Sequence, residues 1–427
     1  MCIRDRDPLS AQLFSHDYRL AEVARMLRTD AAATTNAPVL EDAEKEEAER
    51  HAEALALSRA LADRTLAACV GRGMFRMASR ALRTTGTWST PRVCAAVRPA
   101  HGAALPSAYA QEPHETEWPE FHNGAAAALE IAVHAHRALD SNWIFAHSGA
   151  REGDARHAGF LLGLGLNGHL AALGRVHAYR YLAPRHPLTT TGLVLGLAAS
   201  FLGTGDAAAR QVMAVQVAAF LPQGSVPLQL PALTQAAGLL GMGLVFCGTD
   251  HRWTAERLLA QIDVPRLETS DANDAHHDVY AQSAGLALGL VLLGRARRAP
   301  MDNAADAALL AQLRRLLAGS GSARDVVGAN RAAGPAMLAL ALIFLRSNRR
   351  DAAALLAPPA NAAALAHVRP DLLLPRTLAR ALIMWDAVAP SDAWLDATLP
   401  AFLRGVDPGA APLEAQLAWY NMRAGAC

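Results

Sequence analysis

The chain is 427 residues long, with a formal charge of +1, a pI near 7.8, 52% hydrophobic residues and only 5% aromatic ones. That length supports a large buried core, and the balanced charge excludes the basic excess expected of a nucleic-acid or anionic-membrane binder. Five scattered cysteines (Cys2, Cys69, Cys94, Cys247, Cys427) form no C-x-x-C pair. They fit a reducing compartment and offer neither a disulfide framework nor a zinc site.

In chain order, Met1-Cys-Ile-Arg-Asp-Arg6 resembles translated sequencing-adaptor read-through, and residues 1–6 are expected to be foreign to the protein. Residues 7–83 carry helical patterns, including the charged run Glu41–Glu53, which reads as a solvated helix face. Residues 84–117 are rich in Thr, Pro, Gly and Ala and read as an irregular connector. From Trp118 to the last residue, 118–427, helical segments recur as one repeat domain. The chain stops partway into a further repeat, so the array is expected to be a C-terminally incomplete fragment. Helices around 395–427 are expected to expose apolar surface.

The recurring segments are Gly159-Phe-Leu-Leu-Gly163-Leu-Gly165, Gly192-Leu-Val-Leu-Gly196, Ala237-Gly-Leu-Leu-Gly241-Met-Gly243 and Gly285-Leu-Ala-Leu-Gly289. Degenerate copies begin at Pro335 and Thr377. Self-similarity at 33 to 50 residues marks a stacked helix-pair architecture. Glycine inside a helix costs roughly 0.5–1 kcal/mol relative to alanine, so its retention needs a packing reason. Small residues at i and i+4 share one face and admit a neighbouring helix closely. Gly159, Gly163, Gly192, Gly196, Gly241, Gly243, Gly285 and Gly289 are therefore the expected close-packing positions. A size series at Gly241 is expected to tolerate alanine and to suffer from leucine. Each inner helix is followed by an amphipathic partner, as in Leu258–Ile262 and Leu309–Leu317. Small-xxx-small spacing also occurs in paired membrane helices, but the apolar runs here are broken by Asn167 and His169, Thr189–Thr191, Gln235, and Arg295 and Arg297.

Catalytic readings find little support. His134-x-His136 and His276-His277-Asp278 lack an evident third metal donor. His122 reads as a structural hydrogen-bonding residue, and His169 as a turn contact or helix cap after Asn167-Gly168. Gly163-x-Gly165-x-x-Gly168 matches a dinucleotide fingerprint only in spelling, since no strand precedes it. No catalytic residue, cofactor or metal is expected. An α-toroid enzyme, which would ring a polar cavity with carboxylates or histidines, remains the distant alternative.

Several non-repeat words carry a family resemblance. They are Val70–Phe75, Trp118-Pro-Glu-Phe-His-Asn-Gly124, Ala158–Leu170, Gly248-Thr-Asp-His251, Leu372–Arg380 and Met384-Trp-Asp386. In this order they resemble the largest scaffold subunit of the anaphase-promoting complex, whose proteasome/cyclosome repeats also occur in two proteasome regulatory-particle scaffolds. The resemblance implies an all-α superhelical toroid of helix pairs, open because the chain is truncated, in a non-catalytic subunit of a ubiquitin ligase that controls mitosis. The implied partners are a cullin-like and RING-type module, tetratricopeptide-repeat subunits, a processivity subunit and a coactivator, in nucleus and cytoplasm. No nucleic acid or membrane partner is implied. A proteasome scaffold is the alternative within the repeat class.

Overall fold

The computed structural model describes residues 114–426 except 130, 132–138, 147–153, 227, 264–273, 319–331, 366–367, 369–371, 390 and 405–412, together with 33–35 and 97–99. The expected helical region 7–83 and the connector 84–117 lie almost wholly outside the described residues, as do His134 and His136. One correction falls there. Ala33–Thr35 (β1) and Val97–Pro99 (β2) form a short parallel pair, with Thr34 opposite Arg98. Two consecutive threonines are poor helix formers that suit extended backbone, and Pro99 ends the ladder by lacking a donor.

The chain divides into two compact units, Met1–Ser200 and Phe201–Cys427, a boundary lying inside the 118–427 stretch. In the first unit, α1 (His114–Leu129), α2 (Ser141–Ala146), α3 (Ala155–Leu166), α4 (Arg175–Leu182) and α5 (Pro187–Ser200) follow in order. Helix α3 packs against both α1 and α5, while α4 packs against α5. Asp154 caps α3 by accepting from the Arg156 N–H at 3.0 Å, and Gly168, at φ +81°, turns the chain away after Asn167. Thr189–Thr191, read from sequence as an interruption, lie buried within α5, and the Thr191 hydroxyl donates to the Pro187 carbonyl at 2.8 Å.

The second unit continues with α6 (Ala207–Ala214), α7 (Ala232–Val245), α8 (Arg252–Ala260), α9 (Asp274–Val291), α10 (Arg295–Arg298), α11 (Ala304–Ala318) and α12 (Ala333–Ile343). It ends with α13 (Arg350–Ala354), α14 (Ala362–Leu365), α15 (Leu373–Ile383), α16 (Asp392–Thr398) and α17 (Leu413–Ala426). The apolar helices stack in sequence, α7 on α9, α9 on α12, α12 on α15 and α15 on α17. Each connecting helix then packs on the next member of the stack: α6 on α7, α8 on α9, α11 on α12 and α16 on α17. This is the expected all-α helix-pair repeat. The amphipathic partners bury one stripe each, Leu258, Leu259 and Ile262 in one case and Leu309, Leu313, Leu316 and Leu317 in the other. At the C-terminal end, Leu373, Leu399, Leu403, Ala418 and Met422 form a core cluster, while Leu417 and Tyr420 on α17 face solvent.

Segment Asp278–Arg298 is long and apolar enough to cross a membrane by length and composition. Its residues Ala281, Ala284, Ala287, Leu288 and Val291 are buried in the stack, which is the packing of a core helix.

Candidate functional site

The small-residue positions form a seam running through each stack. A Cβ built on Gly159 would fall inside the Phe121 carbonyl, and one on Gly192 inside the Ala158 carbonyl. At Gly163 it would lie 2.5 Å from the Ala125 oxygen and 2.7 Å from the Ala128 Cβ; at Gly196, 2.6 Å from the Leu161 oxygen. In the second unit, Gly243 would press on Ala287, Gly285 on the Pro335 backbone, and Gly289 on Leu342 at 2.8 Å. Gly241 is buried in α7, as expected. The helices therefore meet backbone to backbone, which is what the missing side chains permit. Two further positions belong to this seam. Gly165 meets the Gly196 backbone, and Gly124 in α1 meets the Arg156 carbonyl of α3. Gly163, Gly165 and Gly168 thus serve helix packing and a helix end, with no strand before them.

A second system joins the helix ends. The Asn167 side-chain amide reaches back to α1 and donates to the Ile131 carbonyl at 2.7 Å, with the Leu129 and Ala128 carbonyls at 3.4 and 3.5 Å. His169, beside it, is buried at the start of a short 3-10 turn, in agreement with the expected turn role. Replacing Asn167 with alanine leaves buried carbonyls without donors. It is expected to lower the stability of the first unit by about 1–3 kcal/mol, read as a lower urea midpoint at unchanged slope.

The turns after α5, α7, α9 and α12 perform the same task with their own backbone. Gly203 and Gly205 donate N–H groups to the Leu244 and Val245 carbonyls at 2.9 Å each. Gly248 and Asp250 donate to Leu290 and Val291, Gly294 donates to Leu342, and Arg346 and Asn348 donate to Leu382 and Ile383. All seven donors have positive φ, between +53° and +68°. This left-handed backbone aims alternate N–H groups at the next helix, so its last carbonyls are capped from outside.

Side chains lock these turns together. Arg298 donates to the Gly248 carbonyl at 3.0 Å and to Asp250 at 2.8 Å, and Asn348 donates to Asp386 at 2.7 Å. Hydrogen bonds from Asn348 and Arg346 hold the Asp386 carboxyl below the usual carboxylate range. Inside, the buried Asp306 carboxylate accepts from Arg252 at 2.9 Å, from Arg295 at 3.2 Å and from Asn303 at 2.9 Å. Asn303 caps α11 in return by accepting from the Asp306 N–H at 2.7 Å.

His122 stands apart from its expected role. Its contacts are aromatic, with Trp118 stacked at 6.2 Å and Phe121 edge-on at 5.8 Å, and burial holds its pKa down. His276 and His277 sit at the start of α9. Among the described residues no group of three or more His, Cys, Asp or Glu is placed to hold a metal.

Residues 9–202 match the family model described as "APC1 fourth domain", and residues 207–427 match "APC1 fifth domain". The chain belongs to the anaphase-promoting complex subunit 1 family. Along the chain, the boundary between the two matches falls within a few residues of the boundary between the two compact units, after Ser200. The chain is 34% identical to anaphase-promoting complex subunit 1 of Homo sapiens, over 92% of its own length and 21% of that protein's. It is 31% identical to the subunit of Schizosaccharomyces pombe, over 97% and 28% of the two lengths. A third relative, the "Negative regulator of mitosis" of Emericella nidulans, is 34% identical over 94% and 19%. The chain thus spans about a fifth to just over a quarter of the length of these three relatives.

Proposed function

We propose that this chain is the repeat-bearing part of a non-catalytic scaffold in an anaphase-promoting complex, a multi-subunit ubiquitin ligase that drives mitotic progression by marking cell-cycle proteins for degradation. The observation that supports a scaffold is the seam of backbone-to-backbone helix contacts, joined to turns that cap the next helix. Close packing of this kind resists deformation, as a body that must hold other subunits at fixed positions requires. Its partners on this reading are the cullin-like and RING-type module, the tetratricopeptide-repeat subunits, the processivity subunit and the coactivator, in nucleus and cytoplasm.

Affinity purification of the tagged full-length protein, followed by mass spectrometry, tests this. Recovery of the cullin-like, RING-type and tetratricopeptide-repeat subunits in fixed proportion is the expected result. Recovery of proteasome regulatory-particle subunits in their place would overturn it.

A further inference from the structure

The chain carries forty cationic side chains, and thirty-nine of them are arginine. Lysine is ordinarily among the commonest residues of a soluble protein, yet it occurs here once, at Lys45, outside the described residues. From Glu46 to Cys427 there is none, and that stretch holds every described helix.

Local bonding accounts for part of the bias. Arg298 forks between the Gly248 carbonyl and Asp250, Arg252 joins Asp306 to Glu256, and Arg423 holds Asp392 and Asp396 together. A single ammonium cannot reproduce such forks. That reason does not reach every position. Arg210 on α6, Arg314 and Arg315 on α11, Arg350 on α13 and Arg380 on α15 are exposed. On an exposed helix surface lysine offers the same charge and nearly the same helix propensity. Arginine at all of these sites calls for a reason outside the fold.

The two cations differ in chemistry. A lysine amine, with a pKa of about 10.4, loses its proton often enough to act as a nucleophile. A guanidinium, with a pKa above about 12, keeps its charge and offers no free lone pair. Ubiquitin transfer depends on that difference. The lysine nitrogen attacks the carbonyl carbon of a ubiquitin thioester and forms the new amide bond. The carbon–sulfur bond breaks, the thiolate leaves, and the proton on nitrogen passes to solvent. A surface that carries its positive charge on arginine alone has no amine to accept ubiquitin.

We propose that the arginine-only surface of residues 46–427 shields this subunit from ubiquitin transfer by the ligase it belongs to. The proposal rests on the reading of the chain as part of a ubiquitin ligase. A scaffold stays beside the activated thioester that substrates meet only briefly. Each exposed lysine on it would be offered ubiquitin throughout the life of the assembly, and modification would mark the scaffold for its own degradation.

Arg210→Lys, Arg314→Lys, Arg350→Lys and Arg380→Lys, introduced one at a time into the full-length subunit, test this. Each substitution keeps the charge. Each assembly is purified and incubated with ATP, ubiquitin and the activating and conjugating enzymes, and Gly-Gly remnants are mapped by mass spectrometry. Ubiquitin chains built in the same reaction report that transfer is running.

The expected result is the gain of a remnant on at least one introduced lysine, with none on residues 46–427 of the parent. An assembly that builds chains but modifies none of the four lysines would overturn the proposal alone. So would ubiquitin on a cysteine or hydroxyl of the parent within that stretch. An assembly that builds no chains at all would overturn the ligase reading, and the proposal with it.

Discussion

Gly243→Ala is expected to destabilise the second unit by about 1–3 kcal/mol, although alanine is the better helix former. The added methyl would stand 2.6 Å from the Ala287 Cα and 2.8 Å from its Cβ. Both atoms belong to, or are fixed by, the backbone of α9, so the whole helix must move. The propensity gain of roughly 0.5–1 kcal/mol cannot offset that displacement. At the neighbouring Gly241 the sequence reading expects alanine to be far milder than leucine. The seam at Gly243 is tighter than that. For a unit of this size, the loss corresponds to a melting shift of roughly 2–12 °C. Gly174→Ala is the control, because its Cβ would meet only the His177 ring, at 3.7 Å. It should change stability by less than about 0.5 kcal/mol. A Gly243→Ala variant that melts with the parent would show that the helices can separate at no cost, and the packing account would be wrong.

The next largest effect is expected at Asp306. Asp306→Ala removes the one carboxylate shared by Arg252 and Arg295 and leaves the Arg295 side chain, 17% exposed, with only its longer pair to Asp250 at 3.8 Å. Breaking a buried pair from one side typically costs 3–5 kcal/mol. Here water reaches Arg252, and a loss of about 3 kcal/mol is expected. Adding Arg295→Met should restore part of it, because the cost lies in the stranded charge more than in the lost attraction. Chemical denaturation of the parent, the two single variants and the double variant measures this directly. Additive losses in the double variant would contradict the picture.

The residues that announced the fold were those whose reason is local. Gly159 and Gly163, or Gly192 and Gly196, are four apart in apolar runs, and that spacing has few explanations besides close helix contact. Gly124 belongs to the same seam but escaped notice, because the alanines at 125–128 that follow it already look small on every face. The turn system was harder to see. Gly248-Thr-Asp-His251 stood out as a family word, yet its partners, Leu290 and Val291, lie about forty residues away. At Arg346 and Asn348 the same backbone is made without any glycine, so composition gives no sign of it. Asp306 likewise meets Arg252 only because stacking brings positions 54 apart together. Periodicity reveals which faces touch, whereas pairings across repeats become legible only once the stack exists.

The turns also give the array a direction of growth. The last carbonyls of α7, α9, α12 and α15 each accept from the turn that precedes the helix in the chain, in addition to bonds made at their own ends. A helix leaving the ribosome therefore finds its cap already built, and adding repeats toward the C-terminus leaves no earlier helix end waiting. Removal is asymmetric for the same reason. Trimming the last helix exposes donors on a turn that water can serve, but excising an internal repeat uncaps the helix after it. Shortened versions of this chain should survive truncation from the C-terminal side and fail on internal deletion, so assembly of the stack is vectorial in the order of translation.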